Sequence, residues 1–311
     1  MTDRVHDCEL EINESVVRAL LQAQTPSWAD CELSYLRTAG TSNAMWRART
    51  AGDDLVVRIP RRTSDAATLR TEAVLLPALA DTALAELVAL PELRHLGLPD
   101  DAFPESWLVL NWLGGVDAWT DRSALDLDDL AVQMATLVSA IGASTDLPAP
   151  RQPPGQRGGP LPVLLDRLDG WLDDPELRAT ELIDVAGVRR IVSAAREVSE
   201  DPVPLRFTHG DLIPGNLLTV DGQLSAVIDW GRAGYGDPAQ DLAPAWGLFE
   251  GRSRDAFRET LGLDDATWLR ACAIELEHAV GCVLYYLPRG HPLGDAMSGT
   301  LTQLLAEPYV T

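Results

Sequence analysis

Lysine is missing from this chain: all 25 basic residues among its 311 are arginines. A Walker-A phosphate loop needs its lysine, so a P-loop NTPase is excluded. Schiff-base chemistry has no amine to work with, which removes PLP-dependent enzymes and class I aldolases. Positive charge is scarce overall. The 47 acidic residues leave a formal net charge of −22. No nucleic-acid partner is expected, because phosphate backbones are gripped by basic patches, and no basic membrane-docking surface is expected either. Long apolar runs are absent too. None reaches the ~18 residues of a membrane span, and the first ten residues are polar and acidic, unlike a secretory leader. Cys8, Cys31, Cys272 and Cys282 lack CxxC spacing. They read as reduced structural thiols of a cytoplasmic protein. His6, His95, His209, His278 and His291 form no HExxH-type pair, so a zinc site is not expected. The acidic surplus has two open readings: recruitment of a cationic substrate, or a solvated surface that aids solubility.

What is present divides the chain in two. Glu11 to Gln24 carries Ile12, Val16, Val17, Leu20 and Leu21 at helical spacing. Leu33–Tyr35, Ala44–Arg49 and Leu55–Ile59 read as three strands of an antiparallel meander, joined at Gly40-Thr41-Ser42-Asn43 and at Ala51-Gly52-Asp53-Asp54. Ala66–Leu79 reads as a helix and Trp107–Leu110 as a short apolar run. Beyond Gly115 the pattern turns helical: Leu125–Ile141, Leu164–Leu172, Val185–Val198, Ala239–Phe249, Ser253–Leu261, Thr267–Tyr286 and a short helix near the end. Pro148–Pro162 reads as a loop or partly mobile segment. The expected division is a strand-rich lobe over residues 1–110 and a helical lobe over 111–311.

The segment Phe207-Thr-His-Gly-Asp-Leu-Ile-Pro-Gly-Asn216, followed by Val227-Ile-Asp-Trp-Gly231, carries the chemistry. Leu217–Val220 and Leu224–Ile228 read as strands joined by a tight turn at Asp221-Gly222-Gln223. Such a hairpin brings Asn216 and Asp229 to one open end. An amide oxygen beside a carboxylate is a hard-oxygen pair suited to Mg²⁺, which takes its remaining ligands from water and substrate phosphates. Asp211 precedes Asn216 by the D-x-x-x-x-N spacing of the kinase catalytic loop, and Asp229-Trp-Gly stands where D-F-G stands. Each piece alone is weak. Their order, with a returning hairpin between them, is a strong signal.

His209-Gly-Asp-Leu-x-Pro-Gly-Asn216, Val227-Ile-Asp-Trp-Gly231 and Gly236-Asp-Pro-Ala-Gln-Asp-Leu242 together resemble the aminoglycoside phosphotransferase family, over roughly residues 33 to 290. The resemblance implies an α+β, bilobal, protein-kinase-like fold: a small antiparallel β-sheet lobe that binds nucleotide and a larger, mainly helical lobe carrying catalysis and the acceptor site. It implies Asp211 as catalytic base and Asn216 and Asp229 as Mg²⁺ ligands. It implies ATP or GTP as phosphoryl donor and a hydroxylated small molecule as acceptor, such as an aminoglycoside or macrolide. Two alternatives stay open: a metabolite kinase like those for choline or homoserine, and a nucleotide-binding regulatory module with little turnover. His209 is expected to brace the loop, Asp241 to support it from behind, and Asp237 to cap a helix before Pro238.

In the first lobe Gly40, Thr41, Ser42 and Asn43 are the candidate phosphate-covering loop. Arg58, in Val56-Val-Arg-Ile-Pro60, stands in place of the strand-borne lysine. Similar segments occur in macrolide phosphotransferases. Glu72 is its expected partner, while Arg61 and Arg62 are expected to face solvent. Trp107-Leu-Val-Leu-Asn-Trp-Leu-Gly114 resembles the hinge, with Asn111 and Leu113 offering backbone groups to the base. For the acceptor the candidates are Glu250, Glu275 and His278, then Trp246, Asp255, Glu277, Tyr285 and Tyr286. Glu275, His278 and Cys282 share a helical face. Carboxylates would suit an amino-sugar; the apolar run from Ala279 to Leu287 would suit a macrolide.

Overall fold

The computed structural model describes residues 4–307. Its contacts divide the chain into two units. The first runs to Gly115 and takes back Ala226–Arg232; the second comprises Val116–Ser225 and the chain from Ala233 onward.

The first unit opens with α1 (Glu14–Gln24). It starts later than the apolar spacing suggests because Asn13 is the cap: its side chain accepts the Val16 N–H at 3.0 Å. β1 (Glu32–Leu36), β2 (Asn43–Arg49) and β3 (Asp54–Pro60) form the expected antiparallel meander. β3 is buried along almost its whole length, as a central strand must be. α2 (Ala66–Leu79) presents Leu69, Ala73 and Leu76 to the core, with Glu72 as the charged residue on that face. A short α3 (Leu84–Leu87) leads to β4 (Leu93–Gly97) and β5 (Trp107–Asn111). The sheet order is β1-β2-β3-β5-β4. β4 escaped the pattern reading because it is a half-exposed edge strand with a register shift between Leu93 and His95. Beneath the sheet Trp46, Val57, Trp107 and Val109 pack with Val17, Leu20 and Leu21 of α1.

Gly97 lies against the indole of Trp107. A Cβ there would fall 2.0 Å from the ring. Gly97→Ala is therefore expected to overpack this core and to cost about 1–3 kcal/mol. Urea unfolding checks this: a midpoint equal to wild type would show that the edge strand yields freely.

The second unit begins with β6 (Val116–Asp117), then α4 (Leu127–Ala143), which Asp126 caps through the N–H groups of Asp128 and Asp129. Residues 144–160 carry no regular element. α5 (Leu161–Asp173), α6 (Pro175–Ala179) and α7 (Val185–Arg196) follow. β7 (Arg206–Thr208) leads into the motif, and β8 (Leu217–Val220) and β9 (Gln223–Val227) form the hairpin. Asp221 and Gly222 between them both take positive φ, +50° and +76°, as a two-residue I′ turn demands. β6, β8 and β9 make one sheet; β7 pairs antiparallel with β10 (Gly234–Gly236).

The stretch 239–249, expected as one helix, is broken. A 3₁₀ turn over Pro238–Leu242 is followed by α8 (Pro244–Gly247), only four residues long. Pro244 has no N–H to continue the first turn. α9 (Arg252–Leu261), α10 (Asp265–Tyr286) and α11 (Pro292–Leu305) complete the unit. The last, with 14 residues, is not short. α10 is its central helix, buried from Trp268 to Val283 at most positions. Among the described residues no helix is long and apolar enough to cross a membrane.

Candidate active site

In the first unit three chemistry-bearing residues meet. Arg58 sits mid-β3, paired with Met45 on one side and Leu108 on the other. Its Nη1 donates to both carboxylate oxygens of Glu72, at 2.8 and 2.7 Å, and its Nη2 donates to Asp229 Oδ1 at 2.7 Å. Glu72 is fully buried and Arg58 nearly so; Asp229 keeps 37% of its side chain exposed. Burial opposes the guanidinium's charge, yet Asp229 and Glu72 outweigh it and hold Arg58 above the usual arginine range. Burial also pushes the Glu72 carboxyl up, against the pull of Arg58.

Asp229 takes φ +66°, a left-handed backbone for a residue with a side chain, which costs of order 1–3 kcal/mol. The surroundings fix that turn. The Trp230 N–H donates to Glu72 Oε1 at 3.1 Å, and Trp230 Nε1 donates to the Val227 carbonyl at 3.0 Å. A Cβ on Gly231 would lie 2.9 Å from the Thr68 carbonyl of α2, so only glycine lets the turn close against the helix. The Arg58–Glu72 pair matches the sequence expectation. The bond from Arg58 to Asp229 had no signal there.

The loop before β2 is tied at its carbonyls. Thr41 O lies 3.0 Å from His6 Nε2, and Ser42 O accepts the Arg61 N–H at 2.8 Å. The Gly40 N–H donates to Thr38 Oγ1 at 3.2 Å, and Asn43 already belongs to β2 and is buried. Arg61 does not face solvent. It is buried, pairing with Glu9 at 3.2 Å and donating to the Tyr35 hydroxyl at 3.0 Å. Arg62, part-exposed, pairs with Asp65 at 2.9 Å. At the end of β5 the Asn111 N–H is committed to Glu92 O at 3.1 Å, and its Oδ1 accepts the Glu92 N–H at 2.7 Å. Leu113 N–H has no hydrogen-bond partner among the described residues.

In the second unit the loop after β7 carries Asp211. Asp241 braces it from beneath, its two carboxylate oxygens accepting the N–H groups of His209 (2.6 Å) and Gly210 (2.9 Å). His209 is fully buried, and its Nδ1 accepts the Asp211 N–H at 3.2 Å. It braces the loop, as expected. Asn216 Nδ2 donates to the Asp211 carbonyl at 2.8 Å. That bond fixes the amide so that its oxygen is the atom left to ligate. Asp237 caps the 3₁₀ turn through the Ala239 N–H and pairs with Arg270 at 3.0 Å.

The carboxylate of Asp211 meets a residue the sequence did not single out. Arg157 Nη2 donates to Asp211 Oδ1 at 2.5 Å, and Nη1 lies 2.8 Å from His278 Nδ1. His278 Nδ1 in turn lies 3.3 Å from Glu275 Oε2, one turn back along α10. Burial opposes the Arg157 charge, but Asp211 and Glu275 outweigh it and hold the group above the usual arginine range. Of the acceptor candidates, His278 thus joins Asp211 through Arg157, and the charge of Glu275 lies close enough to act on the same guanidinium. Glu250 is exposed and pairs with Arg122 at 3.2 Å. Glu277 pairs with Arg167 at 2.7 Å. Trp246 is core, its Nε1 donating to Glu307 at 2.9 Å. Asp255 is exposed, and Tyr285 and Tyr286 pack on each other with centroids 4.8 Å apart. The available signal for Arg157 was an arginine set between glycines in a proline-rich loop.

Burial pushes the Asp241 carboxyl up to about 7, against the two N–H donors and Arg157, which favour the ionised form. Unfolded, the group titrates near ~3.9. Between those values the native state holds more proton than the unfolded state, so the stability this group contributes is lost as pH rises toward 7 and is level above it. Asp241→Asn should flatten the decline in melting temperature between pH 5 and 8. Calorimetry at several pH values tests this, and parallel curves for mutant and wild type would refute it.

Asp229 in the first unit offers a part-exposed carboxylate and Asn216 in the second an amide oxygen; each by itself is a hard donor of the kind magnesium takes. Among the described residues no group of three or more His, Cys, Asp or Glu is arranged to hold a metal.

The family model described as "Phosphotransferase enzyme family" matches residues 36–274. Viomycin phosphotransferase of Streptomyces vinaceus is 32% identical over 207 residues, covering 62% of this chain and 69% of that protein. An aminoglycoside 3'-phosphotransferase of Escherichia coli is 47% identical over 53 residues, a stretch spanning only 17% of this chain and 18% of that protein. Among solved structures, the GDP and kanamycin complex of APH(2")-IIia superposes with a TM-score of 0.72 at 19% identity, covering 93% of this chain and 96% of that one. That likeness is one of fold: kinase-like, with a five-stranded antiparallel sheet and a helical lobe.

Proposed function

We propose, from the premise that this chain belongs to the phosphotransferase enzyme family, that it moves the γ-phosphoryl group of ATP or GTP to a hydroxyl of an antibiotic. The acceptor class is that of its relatives, a cationic peptide such as viomycin or an aminoglycoside, with a macrolide as the apolar alternative. The carrying observation is the loop around Asp211. Its backbone is held by His209, Asp241 and Asn216, so one carboxylate is presented on a rigid support.

In this reading Asp211 orients the acceptor hydroxyl and takes its proton as the oxygen bonds to the γ-phosphorus and the nucleoside diphosphate leaves. The transition state is loose, so the base needs an ordinary carboxylate basicity. Asn216 and Asp229 would be the residues to hold Mg²⁺. The ion, when bound, neutralises charge on the β- and γ-phosphates. Arg58, anchored by Glu72 through Nη1, would turn its Nη2 from Asp229 to the phosphates. The loop from Gly40 to Asn43 covers them with backbone N–H groups, and Asn111 and Leu113 meet the base. Glu275 and His278 face the acceptor, and Glu250 stands at the margin of that assignment. Neither nucleic acid nor membrane is a partner, and the cytoplasm is the compartment.

One observation favours a second reading. Arg58 already bonds Asp229, the carboxylate assigned to the metal. A nucleotide-binding module with little turnover would tolerate that bond. The test is Mg²⁺-dependent release of ADP or GDP from the purified protein, against viomycin, kanamycin, a macrolide and choline, with Asp211→Asn as control. Stimulation by one antibiotic class, lost in the variant, is the expected result. Tight nucleotide binding with no stimulated release by any compound would favour the module.

A further inference from the structure

Arg157 has no part in the reaction just outlined, yet the chain around it is elaborately fixed. It arrives within residues 144–160, the stretch without regular structure. The Tyr235 N–H donates to Pro150 O at 2.8 Å and the Gln152 N–H donates to Tyr235 O at 2.9 Å, fastening the near side to β10. On the far side the Asp237 N–H donates to Gly158 O at 2.8 Å. Between them Gln156 N–H bonds Pro153 O at 3.1 Å and Gly159 N–H bonds Gln156 O at 2.9 Å. Gly155 and Gly158 take φ +84° and +79°, and a Cβ on Gly158 would fall 2.3 Å from Gln240 Nε2. The stretch read as a loop or partly mobile segment is therefore a run of closed turns, anchored on both sides of one side chain.

That side chain uses its fork on two different elements. One terminal nitrogen holds the Asp211 carboxylate and the other reaches His278 on α10. Only a guanidinium offers two donors in that fixed geometry; an ammonium is a point charge. With 15% of its side chain exposed, Arg157 is largely withdrawn from water. An ion pair so placed contributes little net stability after desolvation. Its consequence is orientation: Asp211 has its carboxylate rotamer tied, through Arg157 and His278, to the central helix of the unit.

Resting on the assignment of Asp211 as the base, we infer that Arg157 is a positioning residue that sets the angle at which that carboxylate meets the acceptor hydroxyl. Catalysis is steep in such geometry; misplacement by an ångström costs on the order of 100-fold. Arg157→Gln should therefore lower kcat by roughly 10- to 100-fold while nucleotide affinity stays at the wild-type value. Arg157→Lys, which keeps the charge and loses the fork, should recover part of the rate.

Turnover would be read as GDP or ADP release with water as acceptor, and again with viomycin and kanamycin. Nucleotide affinity would be read by calorimetry and folding by thermal melting. In an Asp211→Asn background the Arg157→Gln change should remove no further rate, because the group it positions is gone. A wild-type kcat in Arg157→Gln would overturn the inference, as would nucleotide affinity falling in step with rate. His278→Gln, which removes the other anchor, serves should Arg157→Gln fail to fold. With water as acceptor it should lower kcat and leave nucleotide affinity unchanged, and an unchanged rate would count against the inference. Full turnover by Asp211→Asn itself would overturn the assignment of the base instead.

Discussion

Asp211→Asn is expected to lose turnover by roughly 10²- to 10⁴-fold, the range that a positioned general base supplies, while nucleotide affinity holds. Asparagine is the informative choice. Alanine would also strip Arg157 of its carboxylate partner and leave a largely buried cation to find another. The loss would then mix chemistry with misfolding. The asparagine side chain still offers an oxygen to Arg157, and the loop beneath depends on other atoms. Asp211 contributes its backbone N–H to His209 and its carbonyl to Asn216, and neither bond needs the carboxylate. The melting temperature should move little. Rate measurement with and without Mg²⁺, beside calorimetric nucleotide binding, separates the cases. Turnover within a few-fold of wild type would mean that another group takes the proton, and the loop assignment would be wrong.

The site was legible where chemistry depends on local spacing. His209, Asp211, Asn216 and Asp229 stand in one short stretch, and a hairpin that must return can be read from Asp221-Gly222 and two apolar runs. Asp241 was legible by resemblance, and its two bonds to the loop backbone agree. Glu72 was legible as the carboxylate on the helix after Arg58, and the ion pair between them agrees. Arg157 was not, because no periodicity marks a side chain whose position comes from a ring of glycine turns. Arg61 was misread for a related reason. Its buried partners, Glu9 and Tyr35, lie 52 and 26 residues away, and an arginine beside another arginine looks exposed until the partners are in place. The strands β4, β6, β7 and β10 were missed because two or three residues, or an edge with a register shift, cannot show alternation. The break at Pro244 was visible as a proline, but the apolar content around it outweighed that signal.

Arg58→Met is expected to destabilise the first unit strongly. Removing one partner of a buried ion pair costs about 3–5 kcal/mol, because the other charge is left unpaired in a poor solvent. Glu72 is that other charge, with no exposed surface. The Trp230 N–H would remain to it, which is too little for a carboxylate. The reverse change should be milder. In Glu72→Gln the guanidinium keeps Asp229, and the amide oxygen can still accept the Trp230 N–H. Combining the two should recover more than half of the loss, since no buried charge is then left alone and the Trp230 donor is still met. A double-mutant cycle by urea unfolding measures this coupling. Arg58→Lys belongs in the same series. Lysine reaches as a point charge and cannot hold Glu72 and Asp229 in one fork, so it should restore one contact and leave the other. If lysine were as stable as arginine, the fork would be incidental. If Arg58→Met alone were nearly neutral, Glu72 would be protonated in the native state, as its raised carboxyl already leans. Where Arg58→Met is costly, the cost should shrink as pH falls, because a buried carboxylate without its cation takes up a proton.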